Sequence, residues 1–221
     1  MPGPEPFRIL DCALIAIALG KTAQNLRELR DRILELPPSS LWHHLFETLL
    51  RPGFDDPEYR SDFALWARRH LHDAVLAERL AALDPTQTDD VEQLRQQLVD
   101  IVEDHIAETN ERLGVPPGHE LHFLRSQIVV LDTGRRATTP GELGAHIPEL
   151  PLGSIYLHFV DARRRHVPDR VDDFTKWLES FGEETAALRA QLARVDFYQW
   201  SLSEMRDRIG RCFGAIPARV A

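Results

Sequence analysis

The chain is poor in cysteine, in lysine and in long apolar runs. Its two cysteines, Cys12 and Cys212, exclude a disulfide scaffold and lie too far apart in sequence for a local metal knuckle. The longest apolar run, Cys12 to Leu19, falls short of the roughly 20 residues that a bilayer-spanning helix needs, so no membrane association is expected. The start, MPGPEPFR, lacks the basic-then-apolar layout of a secretory signal, and a cytoplasmic protein is expected. A phosphate-cradling glycine loop is missing: Gly20-Lys21-Thr22 looks like the tail of one, but the earlier glycine would fall on Ile15. There is no nucleophile elbow. A basic excess is missing as well. The net charge of −9 argues against a nucleic-acid partner, because phosphate contacts need a basic face.

What is present is globular: 43% hydrophobic and 28% charged residues over 221 positions. The acidic excess sits in residues 1–110, while residues 111–221 balance to zero. Lys21 and Lys176 are the only lysines, and arginine supplies the other positive charges. The one basic cluster, Arg163-Arg164-Arg165-His166, reads as a solvated helix end.

An internal repeat dominates the sequence. Shifted by 114, residues 7–51 match residues 121–165 without a gap at 12 of 45 positions, where unrelated composition gives roughly three. The identities include Leu10/Leu124, Gly20/Gly134, Glu28/Glu142, Pro37/Pro151, Ser40/Ser154, His44/His158 and Arg51/Arg165. After a deletion of about three residues the match resumes at Asp62-Phe63/Asp173-Phe174, Trp66/Trp177 and Arg95/Arg206. This predicts a first repeat over 1–110, a Pro/Gly linker over 111–120 and a second repeat over 121–221.

Each copy opens with an apolar run, ALIAIALG or QIVVLDTG. The second run is β-branched and reads as a strand, and the repeat carries that assignment to the first. Gly20 and Gly134 are expected to end the runs in a turn of positive φ. Capping boxes follow at Asn25…Glu28 and Thr139…Glu142, with Pro140 at the first helical position. Ser40 and Ser154 are expected to cap a second helix. Asp56-Pro57 and Asp172 should start a third helix, and Asp90 and Ser201 a fourth. The expected fold is therefore mostly α, in the α+β class. Two strand-plus-four-helix units would form one pseudo-two-fold body around a small central two-stranded sheet, since a lone strand leaves its backbone unsatisfied.

The words Gly20-Lys21-Thr22-Ala23-Gln24-Asn25-Leu26-Arg27-Glu28-Leu29, Pro38-Ser39-Ser40-Leu41-Trp42-His43-His44 and Asp62-Phe63-Ala64-Leu65-Trp66 resemble those of an uncharacterised bacterial family catalogued as a domain of unknown function. The resemblance covers nearly the whole chain. It implies a helical, duplicated fold and no particular activity.

Candidate site residues follow from the repeat. His44 and His158 each lie four residues after a paired serine, hence on one helix face. With Asp62 and Asp173 they would offer two nitrogens and two carboxylates to a divalent metal at the dyad. The plainer alternative is that each histidine closes a structural hydrogen bond. His43 stands opposite Leu157 and falls outside a symmetric set. Arg51 and Arg165 suggest a clamp for a carboxylate or phosphate, or else helix-end partners. Trp42 and Tyr156 could wall a ligand, although core packing accounts for them equally well. His70, His72, His105, His119, His122 and His146 have no repeat partner and read as surface or unassigned.

Two functions fit. The first is a non-catalytic binding or regulatory module without a cofactor, which recruits a protein or small anionic ligand through a groove at the dyad and can form a homodimer. The second is a small helical, metal-dependent, hydrolase-like enzyme with His44, His158, Asp62 and Asp173 at its centre.

Overall fold

The computed structural model describes residues 4–45, 50, 59, 61–84, 90–109, 114–166, 168–197 and 200–214. The protein is mostly helical with a small two-stranded antiparallel sheet. Strand β1 spans Phe7–Ala23 and is followed by α1 (Leu26–Glu35), α2 (Pro38–Leu45), α3 (Asp62–Arg69), α4 (Ala74–Ala81) and α5 (Val91–Thr109). Strand β2 spans Leu121–Ala137, followed by α6 (Pro140–His146), α7 (Leu152–Ile155), a π-helical segment (Tyr156–Asp161) and α8 (Ala162–Arg165). Helices α9 (Asp173–Leu178), α10 (Ala186–Leu192) and α11 (Leu202–Gly214) complete the chain.

The strands outrun the apolar runs that announced them, each reaching 17 residues. They pair with each other, as their unsatisfied backbone requires. Gly20 and Gly134 have the expected positive φ, +66° and +75°, but they sit inside the strands rather than ending them. Nothing lies within 4 Å of a Cβ built at either, so the backbone angle alone calls for glycine there.

The chain forms two compact units. One holds Met1–Ala13 with Ile128–Ala221, and the other holds Leu14–Gln127. Each strand starts in one unit and ends in the other. In the unit of Leu14–Gln127, Leu29, Ile33, Phe63, Leu76, Leu94 and Phe123 are fully buried. In the other, Ile9, Leu143, Phe159, Phe174, Met205 and Ile209 are. Burial at that level stabilises by about 1.5–3 kcal/mol per side chain, which is what holds such short helices.

Local chemistry explains the helix starts. Asn25 accepts from the Glu28 N–H at 2.9 Å, and Glu28 accepts from the Gln24 N–H at 2.9 Å. The same exchange links Thr139 to Glu142 and Glu142 to Thr138, one residue out of register with a strict box. Ser201 and Glu204 form a third box. Asp172 caps α9 as expected. Asp56 and Pro57 lie outside the described residues, and the helix expected there is two: α3 capped by Ser61 and α4 capped by Asp73. The described part of the linker is tied to the start of α1, since Gly114 bridges to Asn25 and the Val115 N–H donates to the Gln24 carbonyl at 2.8 Å. Ser40 and Ser154 do not cap α2 or α7. Both helices begin two residues earlier, and the serine hydroxyls are used elsewhere.

Candidate functional site

In the unit of Leu14–Gln127, α2 lies along the outer edge of β2. Ser40 and His44, one turn apart, reach the same strand residue. The Ser40 hydroxyl donates to the Leu124 carbonyl at 2.5 Å, and His44 Nε2 accepts the Leu124 N–H at 3.1 Å. A two-stranded sheet leaves each strand's outer N–H and C=O groups unpaired, and here two side chains act as the missing neighbour. Since a backbone N–H can only donate, Nε2 is the acceptor and Nδ1 carries the hydrogen. Nδ1 donates to Asp62 Oδ2 at 2.6 Å. The imidazole is 1% exposed and packs against Phe63 and Phe123.

The other unit repeats the bonds. His158 Nε2 accepts the Leu10 N–H at 2.9 Å, and Nδ1 donates to Asp173 Oδ2 at 2.8 Å. The ring is 3% exposed, between Phe7 at 5.0 Å and Phe174 at 5.7 Å. Here the histidine rides on the π-helical segment instead of a regular α-helix. The Ser154 hydroxyl bonds the Asp11 side chain at 3.4 Å rather than a strand carbonyl. Gly153 explains the close approach of helix and strand, because a Cβ there would collide with the Cys12 carbonyl oxygen. Cys12 itself is buried, and its thiol donates to the Gly153 carbonyl at 3.2 Å.

Asp173 has further donors: His166 Nε2 at 2.6 Å and Arg165 Nη2 at 2.9 Å. Burial pushes its carboxyl up, and the bonds from His158, His166 and Arg165 more than offset that, holding it at about 2. Arg165 also grips Asp161 at 2.8 Å and the Leu157 carbonyl at 2.9 Å. Arg164 bonds Asp161, and Arg163 lies over the rings of Phe159 and Phe197 near Asp172. Burial raises the Asp172 carboxyl, partly offset by the Thr175 N–H it accepts. The cluster 163–166 ends α8 with Arg164 and Arg165 exposed, as its charge suggested, and three aspartates neutralise it. Arg51, the repeat partner of Arg165, lies outside the described residues.

The aromatics are structural anchors. Trp66 Nε1 donates to the His119 carbonyl at 2.9 Å, and Trp177 Nε1 donates to the Glu5 carbonyl at 2.7 Å. Tyr156 is buried, and Trp42 packs partly buried on the core of its unit.

The structure thus joins His44 to Asp62 and His158 to Asp173, each pair inside its own unit, with both nitrogens of each imidazole engaged. His43, set aside for lack of a repeat partner, lies beside His44 with ring centroids 5.0 Å apart. Among the described residues, His43, His44 and Asp62 offer ligand atoms within 4.8 Å of one another. An ion there would have to displace the His44–Asp62 hydrogen bond, since Nδ1 would have to give up its hydrogen and tetrahedral ligands at about 2 Å stand roughly 3.3 Å apart, against 2.6 Å here. One buried pair escaped the sequence reading. His105 is 2% exposed and meets Asp73 at 2.5 Å, so it is not a surface residue. Its only signal was the period of α5, which places it in line with Leu94, Leu98 and Val102.

Residues 4–214 match a family described as a family of unknown function, DUF5752. The fold is similar to that of OrfY from Thermoproteus tenax, with a TM-score of 0.78 and 25% identity over 97% of this chain and 96% of that one. No curated protein matches the chain. Among the described residues, no helix is long and apolar enough to cross a membrane.

Proposed function

This chain belongs to the DUF5752 family, whose function is unknown, and from its residues we propose that it is a non-catalytic binding or regulatory module, built by tandem duplication, that recruits a protein or small anionic ligand in the cytoplasm. The observation that carries the reading is the full commitment of both histidines. A ring that accepts a strand N–H at Nε2 and donates to a carboxylate at Nδ1 has no lone pair for a proton transfer or a metal. The same bonds account for the paired His and Asp without any reaction. Val130 and Leu131, consecutive in β2 and so pointing to opposite faces, are each about half exposed and give a protein partner an apolar foothold on either face. The exposed acidic side of α5, with Asp100, Glu103 and Asp104, suits a basic partner.

A second reading, a small metal-dependent enzyme, is favoured by the proximity of His43, His44 and Asp62. Elemental analysis and thermal melts separate the two. The binding-module reading expects no stoichiometric metal in protein purified without chelator, and a melting temperature unmoved by added Zn²⁺ or Mn²⁺. One bound equivalent that raises the melting temperature and disappears in His44→Ala would replace the first reading with the second. Affinity capture from the native host completes the test. The bound partner should be shed steeply between low and moderate salt, and reversal of Glu103 and Asp104 to lysine should abolish its capture.

A further inference from the structure

Helices α5 and α11 occupy matching places in the repeat, and one pair of arginines on them is treated differently. In the unit of Leu14–Gln127, Arg95 is 8% exposed and fully bonded. Its Nη1 donates to the Ile33 carbonyl, while Nε and Nη2 fork onto the two carboxylate oxygens of Glu92 at 2.8 and 3.1 Å. Arg206 is its repeat partner. Arg206 Nη1 likewise donates to a main-chain carbonyl, that of Leu150, at 3.1 Å. The carboxylate is missing: the position three residues before Arg206 is Ser203. Arg206 Nε is shielded from solvent and has no hydrogen-bond partner. An orphaned donor of this kind is costly, and it is the group that Glu92 satisfies in the other copy.

Beside Arg206 lies a cleft of about 880 Å³ lined by Pro148, Arg206, Asp207, Gly210, Arg211 and Gly214. Two further replacements open it. Gly210 stands where the first copy has Val99, which is buried in its core, and Arg211 stands where it has Asp100. A Cβ at Gly210 would meet only Ile147 Cγ2 at 3.7 Å and Pro148 Cγ at 4.0 Å, so the missing side chain leaves space rather than relieving a clash. Arg211 Nε reaches the Asp207 carbonyl at 3.3 Å, and neither Arg206 nor Arg211 has a carboxylate in ion-pair range among the described residues. The Asp207 carboxylate is the one negative group of the lining and opposes an anion.

We propose that this cleft binds a phosphate group, as the free ion or as a small phosphate monoester, with the Arg206 side chain turning to bring its guanidinium, Nε included, onto the oxygens in the way Arg95 takes Glu92, and with Arg211 supplying the second positive charge. The proposal rests on the binding-module reading and gives its anionic ligand a place. Two guanidiniums match a dianion better than a single carboxylate, and the planar fork of arginine fits two oxygens of one phosphate.

Titration calorimetry on the full chain at low ionic strength, with inorganic phosphate and with glycerol phosphate as probes, tests this. One saturable equivalent is expected, with phosphate or its ester bound at least about tenfold more tightly than acetate. Tighter binding of the ester identifies a phosphorylated small molecule, and equal binding identifies the free ion. Ser203→Glu rebuilds the internal clamp: it should remove phosphate binding and raise the melting temperature. Arg206→Gln should weaken binding by about tenfold or more, and Asp207→Asn should tighten it. Wild-type binding in the Ser203→Glu protein, or no saturable binding by the native chain, overturns the proposal. Neither result touches the binding-module reading, which falls instead on stoichiometric metal at His44.

Discussion

His44 and His158 make the same three-way connection, carboxylate to imidazole to strand N–H, from different helices. His44 sits on a regular α-helix whose Ser40 completes the grip on Leu124. His158 sits on a π-helical segment, and its serine turns to Asp11 instead. The helix deforms while the bond endures. What the two matching segments share is the closure of a bare strand edge. Where the two copies diverge, as at Glu92 and Ser203, a free donor and a cleft appear.

The sharpest way to break this comparison is to remove the rings. His158→Ala leaves the Leu10 N–H unpaired, strips one donor from Asp173 and opens a void beside Phe7 and Phe174. His44→Ala does the same to Leu124 and Asp62. Each should cost about 3 kcal/mol or more, read by denaturant unfolding. Two structural clips should lose similar amounts, whereas a catalytic histidine is commonly replaced with little loss of stability.

Gly153→Ala should cost about 2 kcal/mol, because the new Cβ meets a backbone oxygen that cannot turn aside. Its repeat counterpart is Ser39, so the first copy already tolerates a Cβ. Ser39→Ala should therefore stay within about 0.5 kcal/mol, and equal effects at the two positions would contradict the unequal helix–strand approach.

Acid gives a comparable but graded test. The folded Asp173 carboxyl, held at about 2, lies below its unfolded value, so its contribution is complete above about pH 4 and is lost as pH falls toward 2. The contribution is about 2 kcal/mol. Asp173→Asn should flatten that part of the stability profile, while the wild type loses stability across it.

Much of the fold was legible because it rests on local rules. Both strands, the Asn25 and Thr139 caps and the proline stop before α2 follow from backbone hydrogen bonding and ring geometry. The pairing of β1 with β2 followed from having no other strand to satisfy them. Helix α4 was missed because Asp73, its cap, looked like an ordinary member of a longer helix, and a residue with positive φ, His72, breaks the chain before it. The π-helical segment left no mark in the sequence. At the site, the paired positions pointed to His44, His158, Asp62 and Asp173 as a candidate metal set, and the structure pairs each histidine with one aspartate. It could not show that each histidine meets its own aspartate and a strand N–H, because which element a side chain reaches depends on tertiary packing. Arg206 carried a signal only when set against Glu92 and Ser203, a comparison that needs the Arg95 bonds to be seen first.

The direct measurement is the tautomer of the two imidazoles, by long-range ¹H–¹⁵N correlation on ring-labelled protein at neutral pH with and without Zn²⁺. The account predicts that His44 and His158 both carry hydrogen on Nδ1 with an acceptor Nε2, unchanged by the ion. Hydrogen on Nε2 at either ring, or an Nδ1 signal shifted by one equivalent of Zn²⁺, would contradict it.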